Sequence, residues 1–204
     1  LLPFLWMLLS SLKLQKDILN LDKLLLFTPT IQNYITVFSN YDFADPIWNS
    51  LVIAVISTAW SMLLGFPCAY AIARYRMHKL NVIILFVRVL PAICFLIPWY
   101  MIVSALGMAD TYAAVSLSHM VISLPFCVWV MVPFCEAIPT VIEEAAMIDG
   151  CSPLRRFVSI ILPLSSSGLI TVLIMSFIFS WNNFMYAMIL SGARTRTLPL
   201  ALFN

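Results

Sequence analysis

Three carboxylates (Glu143, Glu144, Asp149) and two guanidinium groups (Arg155, Arg156) crowd one short stretch of a chain that otherwise carries little charge. Of its 204 residues, 63% are hydrophobic and 10% charged, where a soluble domain carries about 25% charged residues. That composition is a membrane protein's, and a polar island between long apolar runs must leave the bilayer as a loop. A carboxylate on the exposed face of such a loop can pair with an arginine on another protein's surface. A second group with chemical use is Trp181, Asn182, Asn183 and Tyr186, late in the last long apolar run. Aromatic faces beside amides suit sugar rings, which makes these four a candidate solute pathway. Trp181 also lies about 27 Å of helix past Pro163, at the far interface, where an aromatic belt is expected in any case. Both readings stand on sequence grounds.

The remaining acids do no chemistry inside the membrane. All nine (Asp17, Asp22, Asp42, Asp45, Asp110, Glu136, Glu143, Glu144 and Asp149) fall in loops or at the edges of apolar runs. Ion-coupled carriers place carboxylates in the bundle interior, and intramembrane aspartyl proteases need a pair of them. His119 is the one intramembrane histidine and supplies at most half of a Ser-His pair. His78 and His119 make no ligand set, the five scattered cysteines contain no C-x-x-C, and no metal or cofactor is expected. A net charge of +2 gives no reason to invoke nucleic acid. No phosphate-binding G-x-x-x-x-G-K-[ST] stretch occurs, so ATP used in transport must be hydrolysed by another chain. The chain itself reads as no enzyme. Arg88 lies well inside an apolar run, where it either snorkels toward the nearer interface or pairs with a carbonyl or a partner subunit. Snorkelling is the favoured reading. The neutral Ser and Thr residues of the spans read mainly as helix-to-helix glue.

The elements that must present these groups are all helical. Residues 47–73, 81–109, 112–135 and 157–190 are long enough to span a bilayer, with the second broken by Pro91 and Pro98. Residues 1–12 are too short and read as the end of a first transmembrane helix. Residues 13–46 are polar and aperiodic and read as an extracytoplasmic loop. Residues 47–204 form the transmembrane domain, with 136–156 as its charged loop. Within that loop, Thr140 and Glu143 match a capping box, and Val141, Ala145 and Ile148 fall on one apolar face. Gly150 sits where a glycine ends a helix, and Ser152-Pro153 restart one as N-cap and first helical residue. Ala145 and Ala146 offer a small-residue face for close approach by another protein. The result is two short helices around a tight turn.

Glu144-Ala145-Ala146, then Gly150, then Ile160 and Leu162-Pro163, resembles the cytoplasmic coupling loop of permease subunits of bacterial ABC importers. Ile138-Pro139 and Ile148-Asp149-Gly150 resemble the sugar-importing, maltose-type branch. Asn33-Tyr34, Asn49-Ser50-Leu51, Tyr70-Ala71-Ile72-Ala73-Arg74, Leu106-Gly107-Met108 and Trp181-Asn182-Asn183-Phe184 carry the likeness across most of the chain. The resemblance implies an all-α polytopic membrane protein, a type I ABC importer transmembrane-domain helix bundle, truncated at both ends. It implies an ATPase subunit docking on Glu143, Glu144, Ala145, Ala146, Asp149 and Gly150, a second permease subunit, an extracytoplasmic solute-binding protein, and a multi-pass place among the lipids of a bacterial inner membrane. The alternatives are the same architecture with a non-sugar solute, and a self-contained carrier. Basic residues tie at five on each side of the bundle, so orientation rests on their density in the short loop 74–79 and on the resemblance.

Overall fold

The computed structural model describes residues 2–18, 20, 27–40 and 43–203. Asp22, Lys23 and Asp42 of the expected extracytoplasmic loop lie outside the described residues. The described chain is helical and holds no strand. In order it runs α1 (Leu2–Ser11), α2 (Gln15–Ile18), α3 (Gln32–Asn40), α4 (Ala44–Arg74), α5 (His78–Val89), α6 (Ile93–Ala105) and α7 (Tyr112–Ala137). It continues through α8 (Thr140–Ile148), α9 (Pro153–Arg156), a π-helical turn (Phe157–Ile161), α10 (Leu162–Leu164), α11 (Ser166–Trp181), α12 (Met185–Leu190) and α13 (Leu198–Phe203).

The chain forms two compact units, Leu1–Asp45 and Pro46–Asn204. In the first, stretch 13–46 carries helices α2 and α3 where sequence gave an aperiodic loop. The Asn33 amide there donates to the carbonyls of Ser11 and Lys13 at 2.9 and 2.6 Å. The Lys13 ammonium is buried over the rings of Trp6 and Phe27.

In the second unit α4 and α7 are long and apolar enough to cross a membrane, and two bent helix pairs raise the number of crossings to four if each pair is one span. α4 is organised inside out. Asn49, Ser50, Ile53, Ala54, Ser57, Ser61, Gly65, Ala69 and Ile72 recur every three or four residues and are buried, while Trp48, Val55, Trp60, Leu63 and Leu64 face outward. Small and hydroxylic residues line helix contacts in a membrane because lipid already solvates the apolar ones. A Cβ at Gly65 would stand 2.8 Å from Cys127 Sγ, so α7 approaches α4 closely only because that position has no side chain. Deep in the bundle, Ser57 Oγ bonds Ser180 Oγ at 2.9 Å and Ser180 Oγ bonds His119 Nδ1 at 2.8 Å, joining α4, α11 and α7.

Two expected spans are not continuous. Residues 81–109 break at Leu90–Ala92, and α5 and α6 meet at 93°. Pro91 supplies no N–H and forces Leu90 into an extended conformation (φ −64°, ψ 135°). Pro98 does not break the helix and lies inside α6. Residues 157–190 bend by 78° between Pro153–Leu164 and Ser166–Trp181, then break again at Asn182–Phe184. The bend follows from Pro163, which cannot donate to the carbonyl one turn earlier, and the preceding turn widens to π geometry.

Candidate functional site

The charged loop is an elbow of two short arms, α8 and α9, and its turn is built by local backbone chemistry. Gly150 adopts φ +77°, a conformation that a Cβ penalises. Its N–H donates to the Met147 carbonyl at 3.0 Å, and the Cys151 N–H reaches back to the Ala146 carbonyl at 2.9 Å. That pair of bonds is a Schellman closure of α8. Ser152 Oγ accepts from the Arg155 N–H at 3.4 Å, and Pro153 opens α9.

One stripe of α4 holds both arms. Phe66, Tyr70 and Arg74 lie four residues apart and so share a face. Arg74 Nε forms an ion pair with Glu143 Oε1, and Arg74 Nη2 donates to the Ile138 carbonyl at 3.1 Å. The Tyr70 hydroxyl donates to Glu143 Oε2 at 2.5 Å. Directly after the other arm, at the start of the π-helical turn, the Phe157 ring sits 4.8 Å from that of Phe66 and 5.3 Å from that of Tyr70. Glu143 therefore does not close a capping box. Thr140 is already the first helical residue, Pro139 caps without a side-chain bond, and the buried carboxylate is spent on α4. Ala146 is buried as well and does not belong to the approachable face expected of it. What faces outward is Val141, Ile142, Glu144, Ala145, Met147, Ile148 and Asp149, with Ile148 87% exposed. Glu144 has no hydrogen-bond or ion-pair partner among the described residues.

The second candidate group is divided by the structure. Asn182 and Asn183 line an open cleft of about 540 Å³ with Arg88, Ile122, Phe126, Phe179, Phe184 and Met185. Trp181 and Tyr186 lie outside that lining. Trp181 stacks on Phe177 at 5.8 Å. Tyr186 is fully buried, and its hydroxyl donates to the Ala92 carbonyl at 2.9 Å, bracing the α11–α12 break against the α5–α6 break. The Arg88 guanidinium lies over the rings of Trp129 at 4.0 Å and Phe126 at 5.2 Å, both on α7.

At the end of the bundle away from the elbow, a second polar cluster fixes the loop 191–197. Asp110 Oδ1 accepts from the Gly192 and Thr195 amides and the Thr195 hydroxyl at 2.8, 3.0 and 2.8 Å, and Oδ2 accepts from the Arg194 amide at 3.1 Å. Asn49 donates to the Arg194 and Arg196 carbonyls and accepts from the Tyr112 hydroxyl. Burial by itself would raise the Asp110 pKa, but the Thr195 hydroxyl and the three amides outweigh it and hold the carboxyl below its ordinary value. Sequence gave Asp110 only as a turn residue. Its signal is the backbone, φ +56°, which Asp tolerates better than most residues.

Residues 61–202 match the family model described as the binding-protein-dependent transport system inner membrane component. The chain is 35% identical over 209 residues to the sulfoquinovosyl glycerol transport system permease protein of Agrobacterium fabrum, covering 99% of this chain and 73% of that one. It is 33% identical over 208 residues to the trehalose transport system permease protein of Mycobacterium tuberculosis, covering 100% of this chain and 76% of that one. Among solved structures, a bacterial ABC transporter involved in the import of the acidic polysaccharide alginate shares the fold, with a TM-score of 0.84 and 23% identity over 98% of this chain and 71% of the other. The chain belongs to the family of binding-protein-dependent transport system inner membrane components, as a permease subunit of an ABC importer and not as an enzyme.

Proposed function

We propose that this permease forms part of the translocation pathway for a carbohydrate in a bacterial inner membrane, which it crosses several times. It works beside a second permease subunit, with an ATPase on its cytoplasmic face and a solute-binding protein outside. The relatives named for trehalose and for sulfoquinovosyl glycerol support the solute class. The observation that carries the coupling role is the clamp of α4 on both arms of the elbow. An elbow held at its base and exposed at its tip passes a push on the tip into the spans instead of bending. Glu144, Val141, Ala145 and Ile148 are the surface that receives the push, Asp149 flanks it, and Gly150 sets the angle between the arms. Buried Glu143 and Ala146 serve the clamp and not the contact. Residues 47–204 make the transmembrane domain, and 136–156 lie in the cytoplasm.

The test is Glu144→Lys in the assembled importer reconstituted into vesicles. Reversing the charge of Glu144 on the exposed face of α8 is expected to leave membrane insertion intact and to separate ATP hydrolysis from uptake by at least about tenfold, the loss of one charge-assisted contact. Normal uptake per ATP in this variant would remove the lever role.

A further inference from the structure

The cleft beside the broken span holds a positive charge that no carboxylate among the described residues neutralises. Arg88 lies ten residues past the first residue of α5, about 15 Å along the helix and within an apolar run. Its guanidinium lies over Trp129 and Phe126, which stand well inside α7. No carboxylate pairs with it among the described residues, and every acid of the sequence is in a loop or at a span edge. A cation within an apolar run of a membrane protein persists where it faces a water-filled path or another polar partner.

The cleft also offers neutral polar groups in a defined state. Asn182 spends an amide N–H on the Ile178 carbonyl at 3.0 Å, which leaves its Oδ1 free to accept. Asn183 spends its Oδ1 on the Tyr186 N–H at 3.1 Å, which leaves both Nδ2 protons free to donate. Phe179 and Phe184 add apolar ring faces to the same wall. One acceptor, one double donor, ring faces and a guanidinium match a sugar ring that carries an anionic group. The guanidinium can take a carboxylate or sulfonate with two parallel hydrogen bonds, and the ring stacking on its other side holds its plane in place.

The geometry points to this cleft as a transit site for anionic sugars, uronates or sulfonated glycosides, with Arg88 as the residue that sets selectivity for charge. The inference rests on the carbohydrate reading above. The test uses the complete importer in proteoliposomes, with its own binding protein, and two probes: a galacturonate disaccharide and the corresponding galactose disaccharide. Arg88→Gln is expected to lower uptake of the charged probe relative to the neutral one by at least tenfold, and Arg88→Lys, which keeps the charge but loses the fork, by a smaller factor. An unchanged ratio in Arg88→Gln overturns the inference and leaves the carbohydrate reading standing, as does wild-type uptake of the neutral probe alone. Equal loss of both probes, or failure of the subunits to assemble, makes Arg88 a structural contact and also overturns it. Uptake of neither probe, while ATP hydrolysis still responds to the binding protein, overturns both readings.

Discussion

Replacing Glu143 by alanine tests the clamp at its centre. The side chain is 7% exposed at the residue level and is shared between the Arg74 guanidinium and the Tyr70 phenol. Removing one partner of a buried ion pair costs about 3–5 kcal/mol, because the other charge stays behind unpaired. Both side chains keep a trace of solvent contact, 12% for Arg74 and 9% for Glu143, so the lower end, about 3 kcal/mol, applies. Alanine has the best helix propensity, so the loss does not come from α8 itself. At about 1.4 kcal/mol per factor of ten, the equilibrium between docked and released elbow shifts about a hundredfold. Tyr70→Phe deletes one hydrogen bond to a charged acceptor and leaves the ion pair, so it costs about 1.5 kcal/mol, roughly a tenfold shift. Hydrogen exchange of the α8 amides in the detergent-solubilised complex reads both numbers, since local release exposes that helix without unfolding α4 or α7. Uptake per ATP falls in the same order. Exchange in Glu143→Ala within twofold of the wild type would mean that something other than this clamp holds the elbow, and the mechanical account would fail with it.

Three further outcomes are expected. Asp110→Asn keeps a residue that tolerates positive φ but turns an NH2 group toward amide donors, so amide exchange at 192, 194 and 195 is expected to quicken by about tenfold. Because the folded pKa of Asp110 is depressed, its contribution is complete above the ordinary carboxylate value of about 4 and is lost as pH falls through the lower folded value. An acid titration of the same amides should show protection intact at neutral pH and lost only below that point, with no such step in Asp110→Asn. Gly65→Val places atoms against Cys127 Sγ and forces α4 away from α7, so the variant should insert but lose thermal stability by several degrees, read by melting of the purified complex. A Gly65→Val protein that melts with the wild type would show that the contact is slack.

Features that depend on neighbours in sequence were legible, and features that depend on distant partners were not. Gly150, Ser152 and Pro153 act on their own backbone, and the turn they build follows from local rules alone. Glu143 also fits a local rule, the capping box, but the partner that claims it is Arg74, 69 residues away, and no local pattern encodes that competition. Hydropathy places Arg88 within an apolar run and does not give its direction, since the aromatic pair that holds it belongs to another helix. The same limit applies to Tyr186, whose hydroxyl is taken by a carbonyl exposed at a break in a different span. The breaks were half legible. Pro91 and Pro98 look alike in sequence, yet only Pro91 carries an extended residue before it and a tertiary brace beside it. The inward stripe of α4 was available from the spacing of Asn49, Ser50, Ser57, Ser61 and Gly65, and reading it needs only the inverted rule that membranes impose.

The central claim is that the elbow tip meets the ATPase on the cytoplasmic face. Ile148, 87% exposed at that tip, is the position to probe with a photo-crosslinking amino acid, Ile148→p-benzoylphenylalanine, in sealed inside-out and right-side-out vesicles. The account predicts an adduct with the ATPase subunit whose yield changes when ATP is added. An adduct with the solute-binding protein, or labelling of position 148 from the extracytoplasmic side, would contradict it.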